Sequence, residues 1–232
     1  MKITILTLFP KMFAGPFEHS IVKIAKEKKL VDIAFVDIRD FGIGKHKLVD
    51  DTPYGGGAGM VMRVDVIARA IEKAKEQTNK EKQKVVLLEA FGKKFLQKTA
   101  KKYAALDHLI LICGHYEGID ARVEALVDEV ITIGDFVLTG GEIPAIAITD
   151  AAVRLIPGVI KDESKTFESF QTFSQKHKQM LLDYPVYTKP QTFENQSVPL
   201  VLLSGNHQEV TKWREEQALL RTQKRRPNLL SG

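Results

Sequence analysis

Residues 109–120 read LILICGHYEGID, an apolar run from Leu109 to Cys113 followed at once by a loop that holds Gly114 and Gly118. A short apolar run bounded by glycine is the signature of a strand buried on both faces, the kind that parallel sheets use. Residues 85–88 (VVLL) make a second such run, and residues 130–133 (VITI) a third that leads into the glycine-rich GDFVLTGGE at 134–142. Helical stretches separate them: one includes Phe95, Ala100, Tyr103 and Ala104, and another covers 120–127. Strands alternating with helices predict an α/β fold with a mostly parallel sheet. Ligands of such sheets settle at the carboxyl ends of the strands, where these glycine loops fall.

Toward the N-terminus the alternation continues. Residues 2–8 and 31–38 (VDIAFVDI) read as strands, with a helix over 17–28 between them. A turn-rich loop spans 41–59 and contains PYGGGAG at 53–59. Asp65 is a candidate N-cap for a helix that keeps Val66, Ile67, Ala70, Ile71 and Ala74 at helical spacing. Residues 78–84 are polar and read as a surface loop.

Toward the C-terminus, residues 143–156 form a helix apolar on nearly every side, opened by Pro144 in its first turn. Such a helix is expected to be buried, in the core or against another subunit. The pattern stops near Pro157-Gly158, and residues 161–180 are polar without a clear period, which reads as a linker. A second unit begins after Pro185. Asn206 with Glu209 three residues on makes a capping-box signature. The helix that follows places Val210, Trp213, Gln217 and Leu220 on one face and ends at Arg226-Pro227. The expected organisation is a domain over 1–160, a linker over 161–180 and a small, mainly helical C-terminal domain over 181–232.

Composition narrows the chemistry. No apolar run approaches the ~20 residues that span a bilayer, and residues 1–9 are too short and strand-like for a secretory signal; a cytoplasmic location without membrane attachment is expected. The single cysteine, Cys113, closes an apolar run and reads as a buried strand residue rather than a catalytic thiol. No cysteine or histidine spacing suggests a metal cage, so no metal site is expected. The net charge is +5, and residues 161–232 carry 11 Lys and Arg against 8 Asp and Glu. The cluster Arg221, Lys224, Arg225 and Arg226 fits either a solvated helix end or contact with phosphate. Familiar nucleotide fingerprints fail: Gly44-Lys45 is followed by His46, Gly92-Lys93 by Lys94, and no Gly-x-Gly-x-x-Gly follows a strand. The glycine loops alone suggest an adenosine-type pocket and nothing finer.

Longer strings carry more. VDDTPYGGGAGMV (49–61), ICGHYEGIDARV (112–123), IGDFVLTGGEIPA (133–145), RLIPGV (154–159), YPVYTKP (184–190), VLLSGNH (201–207) and RTQKRRPNLL (221–230) follow one another along nearly the whole chain. Together they resemble the bacterial tRNA (guanine-N1)-methyltransferase family, of the SPOUT superfamily. The resemblance implies a SPOUT-type sheet with a deep trefoil knot, an S-adenosylmethionine cofactor, a homodimer with the active site between subunits, and tRNA as the substrate. The implied reaction is methylation of N1 of the guanosine at tRNA position 37, just 3′ of the anticodon. It assigns cofactor contacts to Leu88, Ala90, Gly114, Tyr116, Glu117, Gly118, Ile133, Gly134, Asp135, Phe136, Val137, Leu138, Gly140, Gly141 and Pro144.

For catalysis the resemblance points to Arg154 as the arginine that stabilises the guanine and to a carboxylate as the base. The family's aspartate lies in an Asp-Ser motif; here the equivalent is Glu168-Ser169, so Glu168 takes the role, with Asp162 and Glu163 as alternatives. This chain also reads longer than the family at 171–180, and has Glu89-Ala90-Phe91-Gly92 where the family has Ser-Pro-Gln-Gly. Asp50, Gly55 and Gly59 match the family's guanine-facing loop. Arg214, Arg221, Arg225 and Arg226 are candidates for phosphate contact. Other readings are a knotted methyltransferase for ribose or ribosomal RNA, which would lack the PYGGGAG loop and the RRPNLL tail, and an RNA-binding module without catalysis. A dinucleotide redox enzyme lacks its fingerprint here.

Overall fold

The computed structural model describes residues 1–76, 82–161, 168–170 and 180–230. The chain divides into two units, Met1–Ile160 and Lys161–Gly232.

In the first unit, β1 (Lys2–Thr7), α1 (Ser20–Glu27), β2 (Asp32–Asp37), β3 (Asp50–Asp51), β4 (Val61–Met62), α2 (Val64–Glu76), β5 (Gln83–Lys94), α3 (Gln97–Ala104), β6 (His108–Cys113), β7 (Glu129–Thr132) and α4 (Glu142–Val153) follow in order. Five of the strands form a sheet in the order β2-β1-β6-β5-β7, and every pairing in it is parallel. The fold is thus α/β around a parallel sheet. β3 and β4 make a separate antiparallel ladder.

The period of two along each strand sorts side chains between two cores. Ile110 and Ile112 of β6, with Val85 and Leu87 of β5, pack with Val66, Ile67, Ala70 and Ile71 of α2. Leu109, Leu111 and Cys113, with Val86 and Leu88, pack with Val22 and Ala25 of α1 and with Ala145, Ile148 and Ala152 of α4. β6 is buried along its whole length, as its unbroken apolar run requires. Truncating one of these leucines or isoleucines to alanine costs about 2–5 kcal/mol.

Several boundaries differ from the sequence reading for identifiable reasons. α2 begins at Val64, so Asp65 lies inside the first turn instead of capping it; its carboxylate takes hydrogen bonds from Arg63 and the Val66 amide. Residues 121–126 form a 3₁₀ helix, with Asp120 as its cap. Phe95 precedes α3 and packs on Tyr103 from outside the helix. β5 runs past Leu88 to Lys94, since Leu88 and Lys93 both register with Ile131 and residues 89–92 loop out between them. Gly92 makes that excursion feasible: a Cβ there would lie 2.6 Å from the Ile131 backbone.

α4 is less enclosed than its composition suggests. Pro144, Ala145, Ile148, Thr149, Ala152 and Val153 are buried, but Ile143 is 49% exposed and Ala147 and Asp150 share that outer face. Among the described residues no helix is long and apolar enough to cross a membrane.

The second unit is built on α5 (His207–Arg225), with a small hairpin of β8 (Thr192–Phe193) and β9 (Gln196–Ser197). Asn206 caps α5, its side-chain oxygen accepting from the amides of Gln208 and Glu209 at 3.2 and 3.3 Å. The buried side of α5 is Ala218 and Thr222, packed with Leu181, and Leu220 is exposed. The buried face is therefore rotated from the expected Val210–Trp213–Gln217–Leu220 line, because the small residues admit the close approach of residues 181–182. The Thr222 hydroxyl accepts from the Leu182 amide at 2.9 Å and donates to the Ala218 carbonyl at 2.7 Å.

Candidate active site

Because the sheet is parallel, β5, β6 and β7 all end on one edge, and the loops that leave them enclose a cleft of about 260 Å³. β5 supplies Leu88, Glu89 and Ala90. The loop after β6 supplies Gly114 to Gly118. β7 and the segment before α4 supply Ile131, Thr132, Ile133, Phe136, Val137, Leu138, Thr139, Gly140 and Gly141, and α4 adds Pro144. The structure thus gathers Leu88, Ala90, Gly114, Tyr116, Glu117, Gly118, Ile133, Phe136, Val137, Leu138, Gly140, Gly141 and Pro144, all expected to hold cofactor, around one space.

Gly134 and Asp135 do not line it. The Phe136 ring fills the space where a Gly134 side chain would stand, and Asp135 pairs with Lys94. Residues that the cofactor assignment passed over, Glu89, His115, Ile131, Thr132 and Thr139, do line it. His115 and Thr139 sit inside glycine loops that the sequence marks, Thr132 just before one of them, and Glu89 directly after the apolar run 85–88, each next to an assigned residue.

The glycines are spatial necessities here. The Gly141 amide donates to the Gly114 carbonyl at 2.9 Å, and a Cβ on Gly141 would lie 2.6 Å from the Cys113 Cα. A Cβ on Gly114 would meet Glu89 Oε1 at 2.5 Å, and one on Gly140 would lie 2.7 Å from His115 Nδ1. Tyr116 adopts a left-handed backbone, φ +61°, which a non-glycine residue holds only when its surroundings dictate it.

The polar groups of the cleft have a definite sign. Glu89 and Glu117 line it, and among its described lining residues there is no lysine or arginine. Burial raises the Glu89 carboxyl above the usual carboxylate range, although the Ala90 amide donates to it. The His115 ring packs against Phe9 at 4.8 Å and Tyr116 at 5.1 Å, while its Nδ1 is buried without a hydrogen-bond partner. Behind the wall, Glu142 is 2% exposed and accepts from the Thr7 hydroxyl at 2.8 Å. Cys113 is wholly buried, and burial with the nearby Glu142 charge pushes its thiol well up. Among the described residues no group of three or more His, Cys, Asp or Glu side chains is disposed to hold a metal ion.

The PYGGGAG loop lies alongside this cleft. The Glu117 amide donates to the Met60 carbonyl at 3.1 Å, the Met62 amide to the Gly118 carbonyl at 3.0 Å, and the Asp120 amide to the Met62 carbonyl at 3.0 Å. Gly55 and Gly59 have φ of +86° and +77°. Asp50 sits on β3, paired with Met62. Asp50, Gly55 and Gly59 thus belong to a substructure bonded to the cleft's own wall.

A family model described as tRNA (Guanine-1)-methyltransferase TrmD matches residues 1–232. This chain belongs to that family. A tRNA (guanine-N(1)-)-methyltransferase of Pelotomaculum thermopropionicum is 51% identical over 231 residues, 99% of this chain and 90% of the relative. The protein of the same description from Carboxydothermus hydrogenoformans is 52% identical over 99% of this chain and 87% of the relative. That from Thermus thermophilus is 48% identical over 100% and 92%.

For this family member the remaining assigned residues fall in two places. In the first unit, Arg154 is the C-cap residue of α4, half-buried, its amide bonded to the Asp150 carbonyl at 3.2 Å. In the second unit, Glu168 immediately precedes Ser169, whose hydroxyl donates to Asp183 Oδ1 and accepts from the Asp183 amide, both at 3.1 Å. The Phe170 amide donates to the Leu181 carbonyl at 2.7 Å. Asp162, Glu163 and 171–179 lie outside the described residues.

The four arginines differ in character. Arg221 donates to the Asp183 carbonyl and carboxylate at 3.1 and 3.3 Å. Arg214 stacks over Tyr184, 4.8 Å from the ring centre, with its Nε buried. Arg226 caps α5 and bonds Asn228 at 3.2 Å. Arg225 lines an open groove with Pro185, Gln217, Leu220, Arg221 and Lys224.

Proposed function

We propose that this chain transfers a methyl group from S-adenosylmethionine to N1 of the guanosine at tRNA position 37, just 3′ of the anticodon. Membership of the tRNA (guanine-1)-methyltransferase family supports the reaction class. The observation that carries the cofactor reading is the sign of the cleft: carboxylates and an unpartnered imidazole nitrogen, with no lysine or arginine among its described lining residues. A phosphate-bearing nucleotide would meet repulsion there, whereas S-adenosylmethionine carries a sulfonium and an ammonium. Leu88, Ile133, Leu138 and Pro144 offer apolar walls for a purine, and Gly114, Gly140 and Gly141 bring backbone within reach of its polar edge.

When bound, S-adenosylmethionine supplies a methyl already activated by its sulfonium. The protein's remaining task concerns the acceptor. Guanine N1 carries a proton near neutral pH, so a base must remove it while a cation or donor meets the charge that develops at O6. Glu168 is the carboxylate for N1, and Arg154 the guanidinium for O6. A positioned base contributes roughly 10²–10⁴ in rate. Ser169, fixed to Asp183, anchors the chain beside Glu168. Asp50, Gly55 and Gly59 face the guanine, displayed out of its stack, and the basic end of α5 meets tRNA phosphates.

A knotted path and a homodimer complete this reading. From β7 the chain comes back beside Cys113 and Gly114 before entering α4, which packs against β6 and β1; this supports the trefoil knot. Ile143 and Ala147 on α4, with Val137 at 90% exposure, support a second subunit covering that side. Residues 161–180 act as the linker that carries the base, and 181–232 as the tRNA-binding domain. The test is an unmodified tRNA transcript with guanosine 3′ of the anticodon, incubated with protein and S-adenosylmethionine and read by mass spectrometry. Methyl at N1 of that guanosine is expected; methyl elsewhere, or none, sinks the assignment.

A further inference from the structure

We propose that Glu89 makes the cleft discriminate by charge, favouring the cationic methyl donor over the neutral thioether left after transfer. The inference rests on the cofactor reading given above. Loss of the methyl removes the sulfonium charge and leaves the rest of the molecule nearly unchanged. A wall group that distinguishes donor from product must therefore sense that charge.

Glu89 is placed to do so. It leaves the sheet at the point where β5 breaks register with β7, and its Oε1 lies 2.5 Å from where a Gly114 side chain would begin and 3.9 Å from that of Gly118. The carboxylate therefore lies against bare backbone at the head of the loop after β6, on the cleft wall. It is half-buried, where a charge is screened less than at the surface. The titratable groups that share the cleft lining with it are His115 and Glu117 from that loop; Glu142 of α4 lies behind the wall beside Gly140, and the Lys94–Asp135 pair lies further along β5. Among the described residues that line the cleft, none is a fixed cation that would neutralise it.

The consequence for pH has a definite sign. Burial holds the free Glu89 carboxyl high, and a cation in the cleft favours its ionised form. Affinity for S-adenosylmethionine should thus rise as pH passes upward through the Glu89 titration, while affinity for S-adenosylhomocysteine changes little. Only the part of the pH dependence that a Glu89 variant removes belongs to Glu89.

The experiment is calorimetric titration of both nucleosides into the full chain and into Glu89→Gln, at pH 5.5 and 8. At pH 8 the donor-to-product affinity ratio should fall about tenfold in Glu89→Gln, mostly through weaker donor binding. The variant should also lose much of the pH dependence of that ratio. An unchanged ratio with both nucleosides still bound overturns the role of Glu89 alone. Failure of the wild-type chain to bind either nucleoside overturns the cofactor reading beneath it. Should Glu89→Gln lose the native circular dichroism spectrum, Glu89→Ser provides the same comparison.

Discussion

The Glu117 amide donates to the Met60 carbonyl at 3.1 Å, fastening the cleft's wall to the loop that carries Gly55 and Gly59. The contact is close on the side-chain side too: a Cβ on Gly59 would lie 2.5 Å from the Glu117 Cγ. On the proposed function, methyl donor and guanine must meet within bonding distance, so the two loops proposed to hold them have to be in register. A direct backbone bond is an economical way to set that register.

Gly59→Ala should break it. The residue has φ +77°, which costs a residue with a Cβ about 1–2 kcal/mol, and the methyl would push the Glu117 side chain away. We expect kcat/KM for tRNA to fall at least ~10-fold with only a small loss of thermal stability. Steady-state kinetics beside a melting curve check this, and wild-type kinetics in the variant would remove the coupling.

Arg154→Ala should abolish turnover while leaving S-adenosylmethionine affinity nearly unchanged. Arg154 terminates α4, whose first turn contributes Pro144 to the cleft, so the residue lies at the far end of the helix from the cofactor wall. Equilibrium binding beside single-turnover rates tests this. A parallel loss of cofactor affinity would make Arg154 a structural cap instead.

Glu168 should obey the chemistry of a base. Glu168→Gln keeps shape and loses the proton acceptor, and its rate should drop by about 10²–10⁴; Glu168→Asp keeps the carboxylate and should retain activity. Single-turnover methylation of a transcript separates the two, and a fully active amide variant removes Glu168 from the mechanism.

The parallel sheet was legible because its strands are buried on both faces, so Leu109 to Cys113 and Val85 to Leu88 announce themselves as unbroken apolar runs. The cleft was legible through glycines that sit where backbones nearly touch, as Gly141 does beside Cys113. What sequence could not convey is direction. Nothing local says that Asp135 turns to Lys94 while Phe136 turns into the cleft, or that Arg221 is tied to Asp183, 38 residues away in sequence. The α5 face was misplaced because Ala218 and Thr222 pack through small size and a hydroxyl bond, which an apolar periodicity does not register.

Cys113 should be inert in the native protein. It is wholly buried at the end of β6, and burial together with the Glu142 charge holds its thiol well above the ordinary range, so almost no thiolate exists at neutral pH. Iodoacetamide at pH 8 is expected to leave the folded chain unmodified and to alkylate it once in denaturant, as intact-mass spectrometry would reveal. Rapid alkylation of folded protein contradicts this.

Thr7 and Glu142 provide the sharpest stability test. The Thr7 hydroxyl donates to Glu142 Oε1 at 2.8 Å and accepts from the Phe9 amide at 2.9 Å, joining the end of β1 to the first turn of α4. Both side chains are buried, so Thr7→Val keeps the shape but leaves a buried carboxylate short of a donor. That should cost about 2–3 kcal/mol, which for a chain of this size lowers the melting temperature by roughly 4–12 °C. Thr7→Ser restores the hydroxyl and should recover most of the loss. Because Glu142 follows Gly140 and Gly141, the valine variant should also bind S-adenosylmethionine more weakly. A valine variant that melts with the wild type would show that Glu142 draws its stability from elsewhere, and the link from β1 to the cofactor loop would fall with it.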